Sequence, residues 1–401
     1  MLFRSEKLIV KNFGPIREAE LDLKKVTVFI GPQGSGKSTL AKLVAIFRDS
    51  HFLLRANSNE NLNSYFQNFN IQNFNREQAV FSFKTDSYYV EYKDQKFNVG
   101  IHEELILEKQ FDTLLGLQFE DFENYFNNYF DKKEKNDKDF LDITLFTMAF
   151  DAQIVKAKYI PTDRYLVSSI SASLWGFTDS NIALPKSMTS FGKNFEFARR
   201  TINQFESSVL GVTYKFENGE DRVYFKKDQF LTLSESSSSS HAVVPMQLVI
   251  EYLSKTEKKN QFIVEEPELN LFPIAQKNIV GYLVENCTKE DNSLLINTHS
   301  PYVLTALNNL IFAYQVAEVL PERADEIAKI IPKEQWLNPD DVAAYYVGED
   351  ENGEKGGIHS IFNRKTGLIG QNELDEISEE LGDEFDALMN IYRTRKRETV
   401  N

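Results

Sequence analysis

The hydrophobic pattern of the first fifty residues predicts strands followed by a helix. Residues 7–30 read as strands and end in the apolar run Val-Thr-Val-Phe-Ile at 26–30, which is typical of a buried strand. A glycine-rich turn follows this run. Leu40, Val44 and Phe47 then recur at the spacing of one helix face. The chain therefore begins with the order strand, glycine-rich turn, helix.

Two later apolar runs, at 262–264 and 294–296, predict buried strands of the same kind. Pro273 and Pro301 follow them at positions suited to the first turn of a helix. The rest of the chain divides into segments of different pattern: short antiparallel strands at 78–110, aromatic helices at 111–155, helices at 166–210, two or three short strands at 211–233, and a core-facing helical spacing at 374–388.

These elements predict an α/β fold with a mixed or parallel core sheet. We expect the core to be split between residues 1–50 and 234–330. Three additions to the core are expected: a β-strand and aromatic helical insertion at 51–155, a helical lobe at 156–233, and a C-terminal α/β extension at 331–401 with an amphipathic helix and a basic tail. The core is thus expected to form from segments that lie far apart in the chain.

The charge balance limits the binding partners. The 60 acidic side chains exceed the 45 basic ones, which gives a net charge of −15, so contact with DNA or RNA would need a local basic patch. Cys287 is the only cysteine, which excludes an intramolecular disulfide and cysteine-based zinc clusters. No apolar run reaches the ~18–20 residues that span a bilayer, and the N-terminus lacks a signal-peptide pattern. We therefore expect a cytoplasmic protein without membrane contact.

The glycine-rich turn has the full GxxxxGKS pattern of a phosphate-binding loop. Glycines allow a tight turn in which several backbone N–H groups point at phosphate oxygens, and the following helix directs its positive end at the same anion. Lys37 is placed to reach the β- and γ-phosphates, and Ser38 to supply a hydroxyl to Mg²⁺. The sequence therefore predicts a nucleotide site formed by Gly31, Pro32, Gln33, Gly34, Ser35, Gly36, Lys37, Ser38 and Thr39.

Polar side chains at the ends of the two later strands complete the predicted site. The strand at 262–264 runs into Glu265 and Glu266, and the next apolar strand runs into His299. Glu265 would take part in the coordination shell of Mg²⁺, and Glu266 would orient or deprotonate an attacking water. His299 would hydrogen-bond the terminal phosphate or that water. Because ligands sit beyond the carboxyl ends of strands in such sheets, we expect these groups on the same edge as the phosphate loop.

The order of three motifs, namely the phosphate loop, EEPELNLFP at 265–273 and THSP at 298–301, resembles that of ABC-type ATPase heads of the SMC, RecF and OLD kind. It is most similar to the single-chain AAA family ATPases of bacterial anti-phage systems, such as the Septu, PARIS and OLD-type ATPase subunits. The resemblance implies a P-loop, ABC-ATPase-like head with an antiparallel β subdomain and a helical insertion. It also implies Mg²⁺-dependent ATP hydrolysis, a head-to-tail homodimer or larger homo-oligomer, and a separate nuclease or toxin as effector subunit.

The serine run at 234–240 occupies the position where such heads carry a signature segment before the acidic strand. The resemblance assigns Ser237 and Ser238 as contacts made in trans to the γ-phosphate of a second subunit's ATP. The run departs from the family pattern at Ser239, where glycine is usual, and at His241, where glutamine is common. A flexible linker is the alternative interpretation of a serine run.

Other positions carry weaker assignments. The segment at 159–164 resembles the PAER-like segment of these ATPases, so Arg164 is a candidate contact to nucleotide or partner, with a structural salt bridge as the alternative. Phe272 stands where such heads often have a D-loop Asp or His. The aromatic residues between 111 and 130 would form either a partner-binding face or an ordinary pair of core helices.

Three functions remain open from the sequence: an ATPase that gates an effector in antiviral defence, a RecF-like or SMC-like ATPase that loads on DNA, and a non-hydrolysing ATP-bound scaffold. The stretch between the phosphate loop and the acidic strand is longer than a transporter subunit needs, which disfavours a transporter. It lacks the long heptads of an SMC coiled coil, which indicates a compact head. Basic residues that could contact DNA, or equally be solvated charges on an acidic protein, are Lys24, Lys25, Arg199, Arg200, Lys255, Lys258, Lys259 and the tail at 393–397.

Overall fold

The computed structural model describes residues 6–56, 63–74, 77–101, 154–170, 184–256 and 259–370, together with 384–385 and 387–389. The aromatic segment at 111–130 and the basic tail at 393–397 lie outside the described residues, as does most of the predicted helix at 374–388. Within that helix, Phe385 and Leu388 are 63% and 65% exposed. The prediction of a core-facing helix is wrong at these two positions, because their side chains pack into neither of the two buried clusters of the described chain.

The described strands are, in chain order, β1 (Glu6–Phe13), β2 (Ile16–Leu23), β3 (Val26–Ile30), β4 (Val80–Lys84), β5 (Tyr88–Lys93), β6 (Lys96–Ile101), β7 (Lys156–Ile160), β8 (Gln204–Ser207), β9 (Val212–Glu217), β10 (Glu220–Lys226), β11 (Gln229–Thr232), β12 (Asn260–Glu265), β13 (Ser293–Thr298), β14 (Val342–Glu349), β15 (Lys355–Ser360), β16 (Phe362–Asn363) and β17 (Leu368–Ile369). The strands predicted at 7–30 and 211–233 are confirmed by these bounds. Those predicted at 78–110 are confirmed as far as residue 101, because residues 102–110 lie outside the described part of the chain.

The described α-helices are α1 (Lys37–Phe47), α2 (Ser50–Arg55), α3 (Asn63–Gln67), α4 (Tyr165–Ile170), α5 (Lys186–Thr201), α6 (Ser238–Thr256), α7 (Pro273–Cys287), α8 (Pro301–Val319) and α9 (Ala324–Ala328). Single 3₁₀ turns lie at Thr162–Arg164, Leu233–Glu235, Pro321–Arg323, Lys333–Gln335 and Pro339–Asp341. Across the described residues, no single helix is long and apolar enough to cross a membrane, and only α8 taken together with the chain to residue 328, a pair bent by 119°, meets that length and composition.

The central sheet has the strand order β15-β14-β3-β13-β12-β7. The strands from β14 to β7 are parallel, and β15 is antiparallel at the edge. Ile30 pairs with Thr298, and Glu265 pairs with Asn297. The carboxyl ends of β3, β13 and β12 are therefore level, so the residues that follow these strands emerge at one edge of the sheet.

Alternate residues of the parallel strands pack into two hydrophobic layers. Val26, Val28 and Ile30 face the cluster that contains α5, α6, α7 and α8, whereas Phe29 faces the cluster that contains α1 and the antiparallel sheet β2-β1-β4-β5-β6. Covering both faces of the sheet explains why β3, β12 and β13 are buried at every position, as parallel strands usually are.

A smaller antiparallel sheet, in the order β11-β10-β9-β8, precedes α6 in the chain. The helical prediction for 166–210 agrees with α4 and α5 but is wrong at 204–207. These residues pair with β9 because the chain reverses at Gly211, whose N–H donates to the carbonyl of Ser207 at 2.8 Å. A positive φ of 66° at Gly211 permits this turn at no steric cost.

Candidate functional site

The phosphate loop connects β3 to α1, and its three glycines, Gly31, Gly34 and Gly36, all have a positive φ that other residues rarely adopt. Gly31 has a φ of 147°, and a Cβ there would collide with the carbonyl oxygen of Val347 on β14. Gly36 has a φ of 113° and precedes α1, and a Cβ there would collide with Ile16. The tight loop therefore depends on glycine for both backbone conformation and space.

A cavity of about 310 Å³ lies beside this loop. It is lined by Gln33, Gly34, Ser35, Gly36, Lys37, Ser38, Thr39, Glu265, Glu266, Asn297 and His299, together with Pro15 and Phe74. Gly31 and Pro32 contribute their carbonyl groups, which accept hydrogen bonds from Lys37 Nζ at 2.7 and 2.8 Å. The structure thus brings together the residues that the sequence predicts for the nucleotide, the metal and the attacking water.

Three side chains form a continuous polar chain in the cavity. Lys37 Nζ lies 3.4 Å from His299 Nδ1, and His299 Nε2 lies 3.3 Å from Glu266 Oε1. An ammonium group only donates, so Nδ1 accepts from Lys37 and the Nε2 hydrogen faces Glu266. His299 therefore connects the phosphate-loop lysine to the second acid of the EEPE motif.

Burial lowers the pKa of one of these groups, and a hydrogen bond lowers the pKa of another. Burial lowers the pKa of Lys37 to about 8, against the attraction of Glu266, Glu268 and Glu265. The hydrogen bond from His299 holds the pKa of Glu266 below its ordinary value, with help from the charges of Arg164 and Lys37 and against burial. At neutral pH the lysine is therefore largely charged, and the glutamate is an anion able to accept a proton.

The lowered pKa of Lys37 predicts that ATP affinity falls in alkaline solution. Phosphate binding needs the ammonium form, and that form is lost as pH rises through about 8. We expect the dissociation constant for ATP to increase by about tenfold per pH unit once the pH is well above this value. Isothermal titration calorimetry between pH 7.5 and 9.5 measures this dissociation constant. A Lys37→Ala variant should bind weakly without this slope, and an unchanged slope in that variant would contradict the assignment to Lys37.

The cavity contains the donor set that a P-loop uses for Mg²⁺. The hydroxyl of Ser38 and the carboxylate of Glu265 line it together, and hard oxygen ligands suit this ion. Glu265 Oε2 accepts from Thr162 Oγ1 at 3.3 Å, and the Oδ1 atom of Asn297 is buried without a partner. Among the described residues, no three His, Cys, Asp or Glu side chains are arranged so that they alone could hold a metal ion, so a cation here would also need phosphate oxygens as ligands.

A family model covers the N-terminal half of the chain. The model of the AAA ATPase domain matches residues 6–210, just over half of the 401 residues. The chain belongs to the AAA ATPase domain family. This assignment confirms the predicted α/β P-loop ATPase fold, which the parallel core sheet also displays. No curated protein is similar enough to the chain to count as a match.

Several solved structures of SMC heads align with most of this AAA ATPase chain at low sequence identity. The SMC head domain from Thermotoga maritima is 13% identical, with alignment over 76% of this chain and 92% of that one and a TM-score of 0.37. A Pyrococcus furiosus Smc head domain with an extended coiled coil, solved with the C-terminal domain of ScpA, is 10% identical over 95% and 100% of the two chains, with a TM-score of 0.38. At these TM-scores the likeness is too distant to support conclusions.

Glu268, a third acid in the EEPE motif, is part of the site and was not assigned from the sequence. Its Oε1 atom accepts from Thr298 Oγ1 at 2.7 Å and from the backbone N–H of His299 at 2.9 Å. It thereby ties the end of β13 to the loop after β12 and orients His299. The sequence does show an acidic residue two positions after Glu266. Only the pairing of β12 with β13 shows which groups its side chain contacts.

Arg164 is a buried structural connection in this AAA ATPase rather than a nucleotide contact or a salt bridge. Its guanidinium is fully buried and donates to four main-chain carbonyl groups, those of Pro161, Ala242, Glu265 and Glu266, at 2.7 to 3.0 Å. Burial lowers its pKa to about 10, against the attraction of Glu268, Glu266 and Glu265. Arg164 thus joins the end of β12 to the first turns of α6.

The serine run is ordered at the start of α6, so the flexible-linker interpretation is wrong. The carbonyl of Ser237 accepts from the N–H of His241 at 3.1 Å, and its Oγ accepts from the N–H of Ser240 at 3.3 Å. Serine is favoured at a helix N-terminus for this reason. Ser237 and Ser238 are exposed and do not line the cavity of their own chain. A contact from either of them to nucleotide in trans remains a prediction.

Proposed function

We propose that this AAA ATPase binds Mg²⁺–ATP in the cavity beside the phosphate loop and hydrolyses it. The observation that supports this most strongly is the chain of contacts from Lys37 through His299 to Glu266 at one edge of the sheet. Lys37 would exchange its bonds to Gly31 and Pro32 for phosphate oxygens. Glu266, kept anionic by His299, would accept a proton from the attacking water.

Magnesium is the cation that this donor set fits. Ser38 and Glu265 would hold it, and Thr162 and Asn297 would orient the Glu265 carboxylate through their contacts at 3.3 and 3.5 Å. The ion supplies charge neutralisation on the phosphate oxygens. The protein groups contribute positioning, which is the main part of catalysis in phosphoryl transfer.

Two copies of the chain would share each active site in a head-to-tail arrangement. Exposed serines at the N-terminus of α6 support this, since Ser237 and Ser238 are free to approach the nucleotide of a second copy. Large apolar side chains also stand exposed where α7 and α8 begin: Phe272 is 78% and Tyr302 is 53% exposed. Exposed aromatic residues of this kind are common at protein interfaces.

ATP-driven association would gate a separate effector, a nuclease or toxin, in bacterial antiviral defence. The order of the three motifs, with its resemblance to anti-phage ATPase subunits, supports this role. The DNA-loading alternative receives less support, because three of the described basic candidates have acidic partners, among them Arg200 beside Glu196. Arg199 contacts Asp221 at 2.8 Å, and Lys255 contacts Glu251 at 2.6 Å.

Mixing two inactive variants tests the shared site. Lys37→Ala disables the phosphate loop of its own chain. Ser238→Arg blocks the exposed surface formed by Ser237 and Ser238, here called the serine surface, which would contact a second chain. Each variant alone should be inactive, whereas a mixture of the two should regain about a quarter of wild-type hydrolysis, because half of the dimers are mixed and carry one intact site. Steady-state phosphate release measures this. Ser234→Arg, at another exposed position of the same run, should remain active.

A mixture that stays inactive, or a fully active Ser238→Arg variant, would contradict the shared site. The same variants test the role in defence when they are expressed with the neighbouring genes in a phage-sensitive bacterium. The wild-type chain should reduce plaque formation, and the Lys37→Ala chain should not. Protection that survives Lys37→Ala would argue against a role gated by ATP.

A further inference from the structure

The cavity beside the phosphate loop has an apolar part formed by Pro15 and Phe74. Phe74 is half-buried, and its ring packs against the turn between β1 and β2. A Cβ at Gly14 would be 2.5 Å from the ring of Phe74, so this ring rests directly on the backbone of that glycine. The ring of Phe13 meets it edge-on at a centroid distance of 5.4 Å. The ring is therefore held in place from behind while it also lines the cavity.

The apolar and polar parts of the cavity have different neighbours. His299 contacts both Glu266 and Lys37. Pro15 instead lies against the last glycine of the loop, since a Cβ at Gly36 would be 3.2 Å from its Cγ. A triphosphate in the loop would place its terminal phosphate at the polar part, because Lys37 reaches the β- and γ-phosphates. The remainder of the nucleotide would then extend from the loop toward the β1–β2 turn.

The segment that carries Phe74 is anchored in the core. Ile71 is 3% exposed within the cluster around α1, and its carbonyl accepts from the N–H of Phe74 at 3.4 Å. An aromatic ring that is already packed loses little conformational freedom when a ligand binds to it. Flat apolar rings also suit a nucleobase, which every nucleotide presents as a π-face.

We propose that Phe74, with Pro15 beside it, is the surface on which the base of the bound nucleotide stacks. This inference rests on the proposed nucleotide binding at the phosphate loop. It makes the site selective for nucleoside triphosphates over inorganic polyphosphate, since polyphosphate would use the loop alone. Phe74 is then a residue that determines specificity, supplied by the chain after α3 and not by any of the three motifs.

Calorimetric titration of the full chain with ATP and with inorganic tripolyphosphate, each with Mg²⁺, tests the inference. Phe74→Leu keeps an apolar side chain against Phe13 and Gly14 but removes the ring face. We expect it to weaken ATP binding by roughly tenfold and to leave tripolyphosphate binding unchanged. Phe74→Trp should bind ATP at least as tightly as the wild type. Phe69→Leu is the matched control, because its ring contacts Tyr159 at 5.3 Å and lines a different cavity.

The outcomes separate this inference from the proposed function. If the wild type binds ATP and tripolyphosphate equally well, or if Phe74→Leu weakens both ligands or neither, the stacking role is wrong while the phosphate site stands. If the wild type binds neither ligand, the proposed function fails and the inference fails with it. Where Phe74→Leu does not fold, equal binding of the two ligands by the wild type still overturns the stacking role.

Discussion

A Glu266→Gln variant should bind ATP with near wild-type affinity and hydrolyse it about 10²–10³ times more slowly. Glutamine has the same shape and retains a hydrogen-bond acceptor for His299, whose Nε2 lies 3.3 Å from the carboxylate in the wild type. It cannot accept a proton from water. The lowered pKa of Glu266 indicates that the proton-accepting form is the one present at neutral pH. Single-turnover phosphate release, with ATP affinity measured separately, checks both parts.

Glu290→Gln is a suitable control for this variant. Glu290 is exposed and, like Glu266, has a left-handed backbone, with φ values of 52° and 43°. Any effect of placing glutamine at such a backbone position should therefore appear in both variants, whereas loss of hydrolysis should appear only at Glu266. Turnover that is unchanged in Glu266→Gln would contradict the assignment of Glu266 as the base. A parallel loss of ATP binding would instead indicate a role in holding the nucleotide.

Replacement of Arg164 by methionine should destabilise the protein by about 3–5 kcal/mol, the typical loss when one partner of a buried charged network is removed. The substitution leaves four buried main-chain carbonyl groups without this donor, including those of Glu265 and Ala242. It also removes the positive charge that Glu268, Glu266 and Glu265 face. Thermal unfolding followed by circular dichroism measures the loss. Arg164→Lys should recover only part of it, because an ammonium cannot reproduce the planar set of donors.

Arg323→Met supplies the comparison for Arg164. Arg323 is an exposed arginine that pairs with Glu326 on its own turn of the chain at 2.7 Å, and its removal should leave the melting temperature unchanged. The ATPase assay adds a second measurement. Because Arg164 holds the carbonyl of Glu266 at 2.7 Å, any folded Arg164→Lys protein should hydrolyse ATP more slowly. Wild-type stability and turnover in Arg164→Met would rule out the structural connection between β12 and α6.

The parts of the site predicted from the sequence are those that local pattern specifies. The GxxxxGKS loop was recognisable because its glycines, its lysine and its position between a strand and a helix are all features of neighbouring residues. Glu265, Glu266 and His299 were assigned from their positions at the ends of buried apolar strands. Level strand ends in a parallel sheet then place them beside the loop, which the pairing of Glu265 with Asn297 displays.

Glu268 and Phe74 escaped sequence reasoning, as did the actual role of Arg164, each for a definite physical reason. Glu268 acts through bonds to Thr298 and His299, about 30 residues away. Arg164 acts through carbonyls up to 102 residues away, so its nearest sequence neighbours carry no sign of them. Phe74 belongs to a stretch without clear periodicity, and its contact with Gly14 arises only when that stretch packs on the β1–β2 turn.

The amino-acid sequence was sufficient for the phosphate loop, the order of strands and helices around it and the acids at the strand ends, because backbone preference and hydrophobic period act between residues close in the chain. Tertiary structure decided which of these groups meet. The register of β3, β13 and β12 brings His299 within 3.4 Å of Lys37, and packing of α6 on Arg164 joins the serine surface to the acids. Such contacts depend on how distant segments fill shared space, which no local pattern encodes.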